Sequence, residues 1–207
     1  MPVRQRATEP VQARAQATRE ELITAAAELL GEVGVERLST NLICARAGLT
    51  PPAFYRYFKD KYAILEELGE RLMDAQNQAI GRLLQDETLD VTEADISQLI
   101  LDSITITRAF PGGPWVLRAL RAVPALHHVR LNSHRKMSEQ VAQSVTARGA
   151  PSALVKLQAR LLIDMGYAAI ELAFDEPRLK REALAQTAAQ TLAGLVAALQ
   201  AQAQAQN

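Results

Sequence analysis

The chain has 207 residues, a formal net charge of zero and 48% hydrophobic residues, enough for one or two domains with a sizeable core. Zero net charge excludes a protein that coats nucleic acid indiscriminately, and the single cysteine excludes an intrachain disulfide. No stretch approaches the roughly 20 apolar residues of a membrane span, and the N-terminus lacks the apolar run of a signal peptide. A cytoplasmic protein away from the membrane is expected.

Residues 1–17 carry Arg4, Arg6 and Arg14 against Glu9, with no apolar periodicity, and predict a flexible arm. Thr18-Arg19-Glu20-Glu21 reads as a capping box. It opens a helix with Leu22, Ile23, Ala26, Leu29, Leu30 and Val33 on one stripe, ended by Gly34. Ser39 starts a second, short helix in which Ile43 and Ala47 share a face, and Gly48 marks a sharp turn. Thr50 before Pro51 and Pro52 starts a third. That third helix is crowded with Phe54, Tyr55, Tyr57 and Phe58, and so short a helix cannot bury all four. Asp60-Lys61 opens a fourth. Helix, glycine turn, helix is the helix-turn-helix layout, whose second helix enters the major groove. From Arg37 to Lys61 five basic residues (Arg37, Arg46, Arg56, Lys59, Lys61) stand against one acid, Asp60, which suits a phosphate-facing surface.

From Thr18 to about Leu68 the chain resembles the DNA-binding domain of the TetR family of transcriptional repressors. The features that carry the resemblance are Ala25-Ala26-Ala27 with Gly34 behind it, Ile43-Cys44-Ala45-Arg46-Ala47-Gly48, Phe54-Tyr55-Arg56-Tyr57-Phe58, and Lys61 at the head of a long helix. Cys44, Pro51-Pro52 and Leu42 depart from the usual pattern near the DNA face, so no base preference is carried over. The expected architecture is all-α. A three-helix helix-turn-helix domain over 18–62 precedes a helical effector-binding and dimerisation domain over 63–207. The expected DNA-binding residues are Thr40, Asn41, Thr50, Pro51, Pro52, Ala53, Tyr55, Arg56, Tyr57 and Lys61. Phe54 and Phe58 are expected to pack inward.

Beyond the head, breakers divide the sequence into further helices: Asp60 to about Asp86, Thr92–Phe110, Trp115–Arg121, Pro124 to Gly149, Ser152–Phe174, and a last one opened by Asp175-Glu176-Pro177 and fraying after Leu199. The helix after Ser152 has two apolar stripes. One is Leu154, Leu157, Leu161, Met165, Ala168 and Leu172; the other is Val155, Ala159, Leu162, Gly166, Ile170 and Ala173. A helix apolar on two faces is buried on two sides. The resemblance implies a homodimer through the last two helices, and the expected interface is Ala159, Leu162, Gly166, Ile170, Leu184, Ala188, Leu192 and Leu195.

The resemblance also implies a small-molecule chamber among the middle helices, where Met73, Phe110, Trp115, His127, His134, Met137 and Met165 are the candidate lining. Either histidine can instead be a core residue bonded to a carbonyl or carboxylate. Arg160 and Asp164 form an i, i+4 pair. No Gly-rich phosphate loop, nucleophile elbow or metal-ligand spacing is present, so no catalytic residue, metal or cofactor is expected. The resulting expectation is a sequence-specific regulator of palindromic double-stranded operator DNA, a repressor released by a largely apolar effector. The alternative is a DNA-binding protein of the same fold governed by a protein partner or the nucleoid. The two differ in whether the middle helices enclose a cavity of a few hundred Å3.

Overall fold

The computed structural model describes residues 11–84, 91–146 and 151–204, and apart from turns these are helical. The chain divides into two compact units between Leu68 and Gly69.

In the first unit, α1 (Val11–Arg37) begins seven residues before the expected start at Thr18. Gln12, Ala13, Arg14, Ala15, Gln16 and Ala17 are all good helix formers, so propensity carries the helix upstream. Gln16 Nε2 donates to Glu20 Oε1 at 2.9 Å across one turn. The expected arm is therefore helical from residue 11, and residues 1–10 of it lie outside the described residues. Gly34 breaks the helical backbone at φ 73° and ψ 169°, a conformation that favours glycine.

Helix α2 (Thr40–Ala47) is capped by Ser39, whose hydroxyl accepts from Leu42 N at 3.3 Å. It ends at Gly48 in the left-handed region, φ 66°. Leu49 N there reaches back to Cys44 O at 2.9 Å, closing the helix as a Schellman-type turn does. Helix α3 (Pro51–Tyr55) follows at once. Helix α4 (Lys61–Leu83) starts on Asp60, whose carboxylate accepts from Tyr62 N and Ala63 N, both at 2.9 Å. The head core joins Leu22, Leu30, Leu38, Ile43, Phe54, Ile64, Leu65 and Leu68. Because Ile64, Leu65 and Leu68 belong to that core, the unit extends to Leu68, six residues past the expected boundary at 62.

The second unit holds the rest of α4 and five further helices: α5 (Glu93–Ala109), α6 (Gly113–Ala122), α7 (His127–Ser144) after a 3-10 turn at Pro124–Leu126, α8 (Ala153–Asp175) and α9 (Arg181–Gln204). Helix α5 packs on α9 and α8, α7 packs on α8, and α8 packs on α9. Thr92 and Asp95 form a reciprocal capping box at the start of α5. The last helix opens at Arg181 rather than at Asp175. Asp175 completes α8, where Arg121 holds it at 2.6 Å, and Glu176 to Lys180 form a turn. Helix α4 ends at Leu83 and α7 at Ser144, short of the expected 86 and 149, because Leu84 and Val145 already leave the helical pattern.

Gly113, at the start of α6, is fixed by a close approach. A Cβ there would lie 1.9 Å from the backbone oxygen of Thr107. Gly81 in α4 has nothing within 4 Å of its Cβ position. Gly113→Ala is therefore expected to destabilise by about 1–3 kcal/mol, through backbone displacement. Gly81→Ala should stabilise by about 0.5–1 kcal/mol. Urea denaturation of the two variants checks both, and equal effects of the two would contradict this account.

Candidate nucleic-acid interface and effector cavity

Helix α3 is only five residues long, so its orientation rests on what it buries. Phe54 is fully buried and Phe58 nearly so, their rings 5.7 Å apart. Burying each contributes about 1.5–3 kcal/mol. The guanidinium of Arg19 sits 5.4 Å over the Phe58 ring while bonding Glu67 through both nitrogens, which ties α1 to α4 beside the aromatic pair. With Phe54 and Phe58 inward, Thr50, Pro51, Pro52, Tyr55 and Arg56 are exposed, and Ala53 and Tyr57 are half-buried. Tyr55 Oη lies 3.4 Å from Thr40 Oγ1, and Asn41 is exposed on the next residue of α2.

Several expected roles change in detail. Thr50 stands at the N-cap, but its hydroxyl makes no cap hydrogen bond and stays available. Pro51 and Pro52 have no N–H, and the Ala53 and Phe54 amides donate to Thr50 O at 2.9 and 3.2 Å. The start of α3 therefore offers apolar and hydroxyl groups rather than free amides, suited to thymine methyls and phosphate oxygens. Lys61 is half-buried, and its Nζ donates to Val35 O at 2.9 Å and Leu38 O at 3.0 Å. It joins the end of α1 to the start of α4, with one proton left over. Arg46 is held by Glu28 at 3.1 Å and Glu32 at 2.6 Å. Hydrogen bonds to those carboxylates raise the Arg46 pKa, and the bond to Arg46 lowers that of Glu32. The positive surface thus thins to Arg56 and Lys59, with Arg37 bonded to Val33 O through Nε. Cys44 is buried, and burial raises its thiol pKa, as suits a packing residue.

The second unit contains a cavity of about 110 Å3 among α4, α5, α7, α8 and α9. Ile80 and Leu83 wall it from α4, Ile96, Ile100 and Ser103 from α5, and Val141 and Ser144 from α7. Ile163, Gly166, Tyr167 and Ile170 wall it from α8, and Leu192, Val196 and Gln200 from α9. This is smaller than the few hundred Å3 typical of ligand sites. A second hollow of about 230 Å3 lies between α4 and α7, lined by Met73 and by exposed Glu70, Asp74, Asn132 and Lys136, and it reads as a solvated groove.

None of the seven expected chamber residues lines the apolar cavity. Met73 borders the polar groove, and Met137 is core. Phe110 is half-buried at the end of α5. Trp115 is exposed on α6 with Arg118 5.1 Å over its ring, and Met165 is exposed on α8. His127 Nε2 bonds Arg121 O at 2.9 Å. His134 is buried, its Nδ1 2.5 Å from Asp164 Oδ1 and its ring stacked 4.2 Å from Tyr167. Sequence reasoning followed polarizable side chains and chain breaks. The cavity instead collects Ile, Val and Leu, which carry no signal apart from their neighbours.

The expected interface residues divide by burial. Ala159, Ile170 and Leu192 are buried inside their own unit, while Leu162, Gly166, Leu184, Ala188 and Leu195 are half-buried. Leu162, Gly166, Ile170 and Leu192 line the cavity. The outward face of α8 is the other stripe: Leu154, Leu157, Leu161, Met165, Ala168 and Leu172 are exposed. Residues 154 to 172 satisfy both stripes equally in sequence, and only the packing of α7 and α9 decides which faces inward.

The first unit has the element order, turn and exposed aromatic helix of a helix-turn-helix domain. Residues 22–68 match the family model described as bacterial regulatory proteins, tetR family. The match is to that family's N-terminal domain and spans under a quarter of the chain. It is 44% identical over 55 residues to the tetracycline repressor protein class C of Escherichia coli, covering 27% of this chain and 25% of that one. It is 36% identical over 70 residues to the nucleoid occlusion factor SlmA of Photobacterium profundum, covering 33% and 36%. The chain thus spans about a quarter to a third of these relatives. Among solved structures, SmeT, the repressor of the Stenotrophomonas maltophilia multidrug efflux pump SmeDEF, superposes with TM-score 0.66 at 24% identity. That match covers 87% of this chain and 90% of SmeT, and a SmeT–triclosan complex superposes with TM-score 0.65. At these identities the likeness shows the fold, now over nearly the whole chain. Among the described residues no helix is long and apolar enough to cross a membrane.

Burial lowers the His134 pKa by more than the Asp164 carboxylate raises it. The unfolded chain then holds a proton at this site that the folded chain does not, so stability is full above about pH 6.5 and falls as pH drops below it. Asp164 is shifted down by Arg160 and His134 against its own desolvation, and its contribution is lost only at lower pH, through the carboxylate range. His134→Gln should remove the decline just below about pH 6.5 and keep the acid limb. Unfolding midpoints from pH 7.5 to 4 check this, and an unchanged slope in the variant would contradict it.

Proposed function

We propose that this protein is a cytoplasmic, dimeric transcriptional repressor that binds a palindromic operator through α3 and releases it when a small apolar molecule enters the second unit. The observation that carries the reading is the division of α3 into a buried Phe54 and an exposed set of Thr50, Pro51, Pro52, Tyr55 and Arg56. In this reading Arg56 and the prolines meet base edges, and Tyr55 with Thr40, Asn41 and Tyr57 meets phosphates. Lys61 acts mainly by fixing the chain before α2, and adds one remaining donor to the phosphates.

The dimer is assigned to the exposed stripe Leu154, Leu157, Leu161, Met165 and Leu172, beside the exposed small residues Ala183, Thr187, Gly194 and Ala197 of α9. A row of large apolar side chains left open to water marks an association surface. Two-fold pairing also matches the paired half-sites that helix-turn-helix proteins read. The unbroken α4 begins on Asp60 and Lys61 and passes Ile80 in the cavity wall, so it is the element through which a ligand acts. SmeT's triclosan complex supports a ligand-answering member of this fold. The likeness to SlmA supports the second reading, control by the nucleoid or a protein partner; the apolar cavity of about 110 Å3 supports the first only for a ligand smaller than the usual occupant of a few hundred Å3.

Selection from a random duplex pool tests the DNA reading. The wild type should enrich two inverted half-sites. Arg56→Ala should relax preference at one position per half-site by about 1–3 kcal/mol. Tyr55→Ala should weaken binding at all sequences. Leu161→Asp should halve the mass in light scattering and weaken binding to the two-half-site duplex through lost bivalency. Enrichment of no sequence, or a wild type already monomeric at micromolar concentration, would overturn the proposal.

A further inference from the structure

The walls of the cavity specify the chemical class of what enters it, given the ligand-controlled reading above. No charged side chain lines the cavity among the described residues. Each of its four polar side chains donates a hydrogen bond within the protein. Ser103 Oγ donates to Leu99 O at 2.8 Å, and Ser144 Oγ donates to Val141 O at 2.9 Å. Tyr167 Oη donates to Asn77 Oδ1 at 2.9 Å, and Gln200 Nε2 donates to Val91 O at 3.1 Å. The rest of the wall is Ile, Leu, Val and Gly.

We infer that the ligand of this cavity is an uncharged, apolar compound of about one aromatic ring, and that carboxylates and amines of the same shape are rejected. An anion finds no cation and no free hydroxyl proton there. A cation finds no carboxylate. Either would lose its hydration without replacement, which is strongly unfavourable. A hydrocarbon ring loses nothing polar and gains contact with branched side chains. Size points the same way. An engineered dry cavity of roughly 150 Å3 binds benzene, and this one holds about 110 Å3. A single ring fits with small side-chain adjustments, whereas a larger polycycle requires the helices to part.

Gly166 provides the control. It lines the cavity, and nothing lies within 4 Å of its Cβ position. Leucine there occupies the space and is a better helix former than glycine, so the fold is retained.

The test uses toluene, benzoate and benzylammonium, three probes of one shape and three charges, on the full chain without DNA. Toluene should raise the unfolding temperature saturably, as a ligand selective for the folded state does. Benzoate and benzylammonium should bind at least tenfold more weakly. In isoleucine-methyl NMR, toluene should shift Ile96, Ile100, Ile163 and Ile170 and leave Ile43 and Ile64 of the head in place. Gly166→Leu should lose the toluene response tenfold or more. A charged probe binding as tightly as toluene, shifts confined to isoleucines outside the cavity, or a full response in Gly166→Leu would overturn the inference. Since the readout is occupancy of the cavity, failure of ligand to release DNA bears on the repressor reading alone.

Discussion

A helix of five residues does not stand on its own, since nucleation costs more than one turn of hydrogen bonds returns. Helix α3 exists because Phe54 and Phe58 are buried beneath it, and the rest of the head is arranged to keep them there. Arg19 lies over Phe58 and grips Glu67. Lys61 bonds one carbonyl in the last turns of α1 and one between α1 and α2. Arg46 clasps Glu28 and Glu32, fixing α2 against α1. Once the two phenylalanines are inward, helical spacing leaves Tyr55 and Arg56 outward. The proposed binding chemistry and the folding chemistry are thus two faces of one short segment.

This explains why the head was legible in the sequence. Ser39, Gly48, Thr50-Pro51 and Asp60 each bear a local reason for a boundary, and each boundary falls where that reason puts it. Lys61 was harder. Its charge counted toward a phosphate surface, yet its ammonium is engaged by two carbonyls 23 and 26 residues away in sequence. Arg46 likewise counted as free charge, but its partners lie 14 and 18 residues upstream on a different helix. Charge is visible in a sequence, whereas its neutralisation is a tertiary fact.

The second unit was less legible for a related reason. Helix α8 is apolar on two faces, and periodicity alone does not say which meets its own core. The stripe with small residues, Ala159 and Gly166, looked suited to a close-packed partner. It packs instead against the unit's own helices and walls a cavity, while the leucine-rich stripe lies open. The buried polar residues behave as a framework. Gln76 donates to Thr107, Tyr167 to Asn77, Asn77 to Ser133, and His134 meets Asp164, so the apolar cavity sits beside a hydrogen-bonded seam that fixes α4, α5, α7 and α8.

The central claim is that the exposed face of α3 meets DNA. Hydrogen exchange measured with and without a duplex enriched from the random pool tests it most directly. The account predicts new protection over residues 38–62, which hold α2, α3 and the start of α4, and little with a scrambled duplex of the same length. Protection elsewhere in the chain with none over α3, or the same protection with both duplexes, would contradict it.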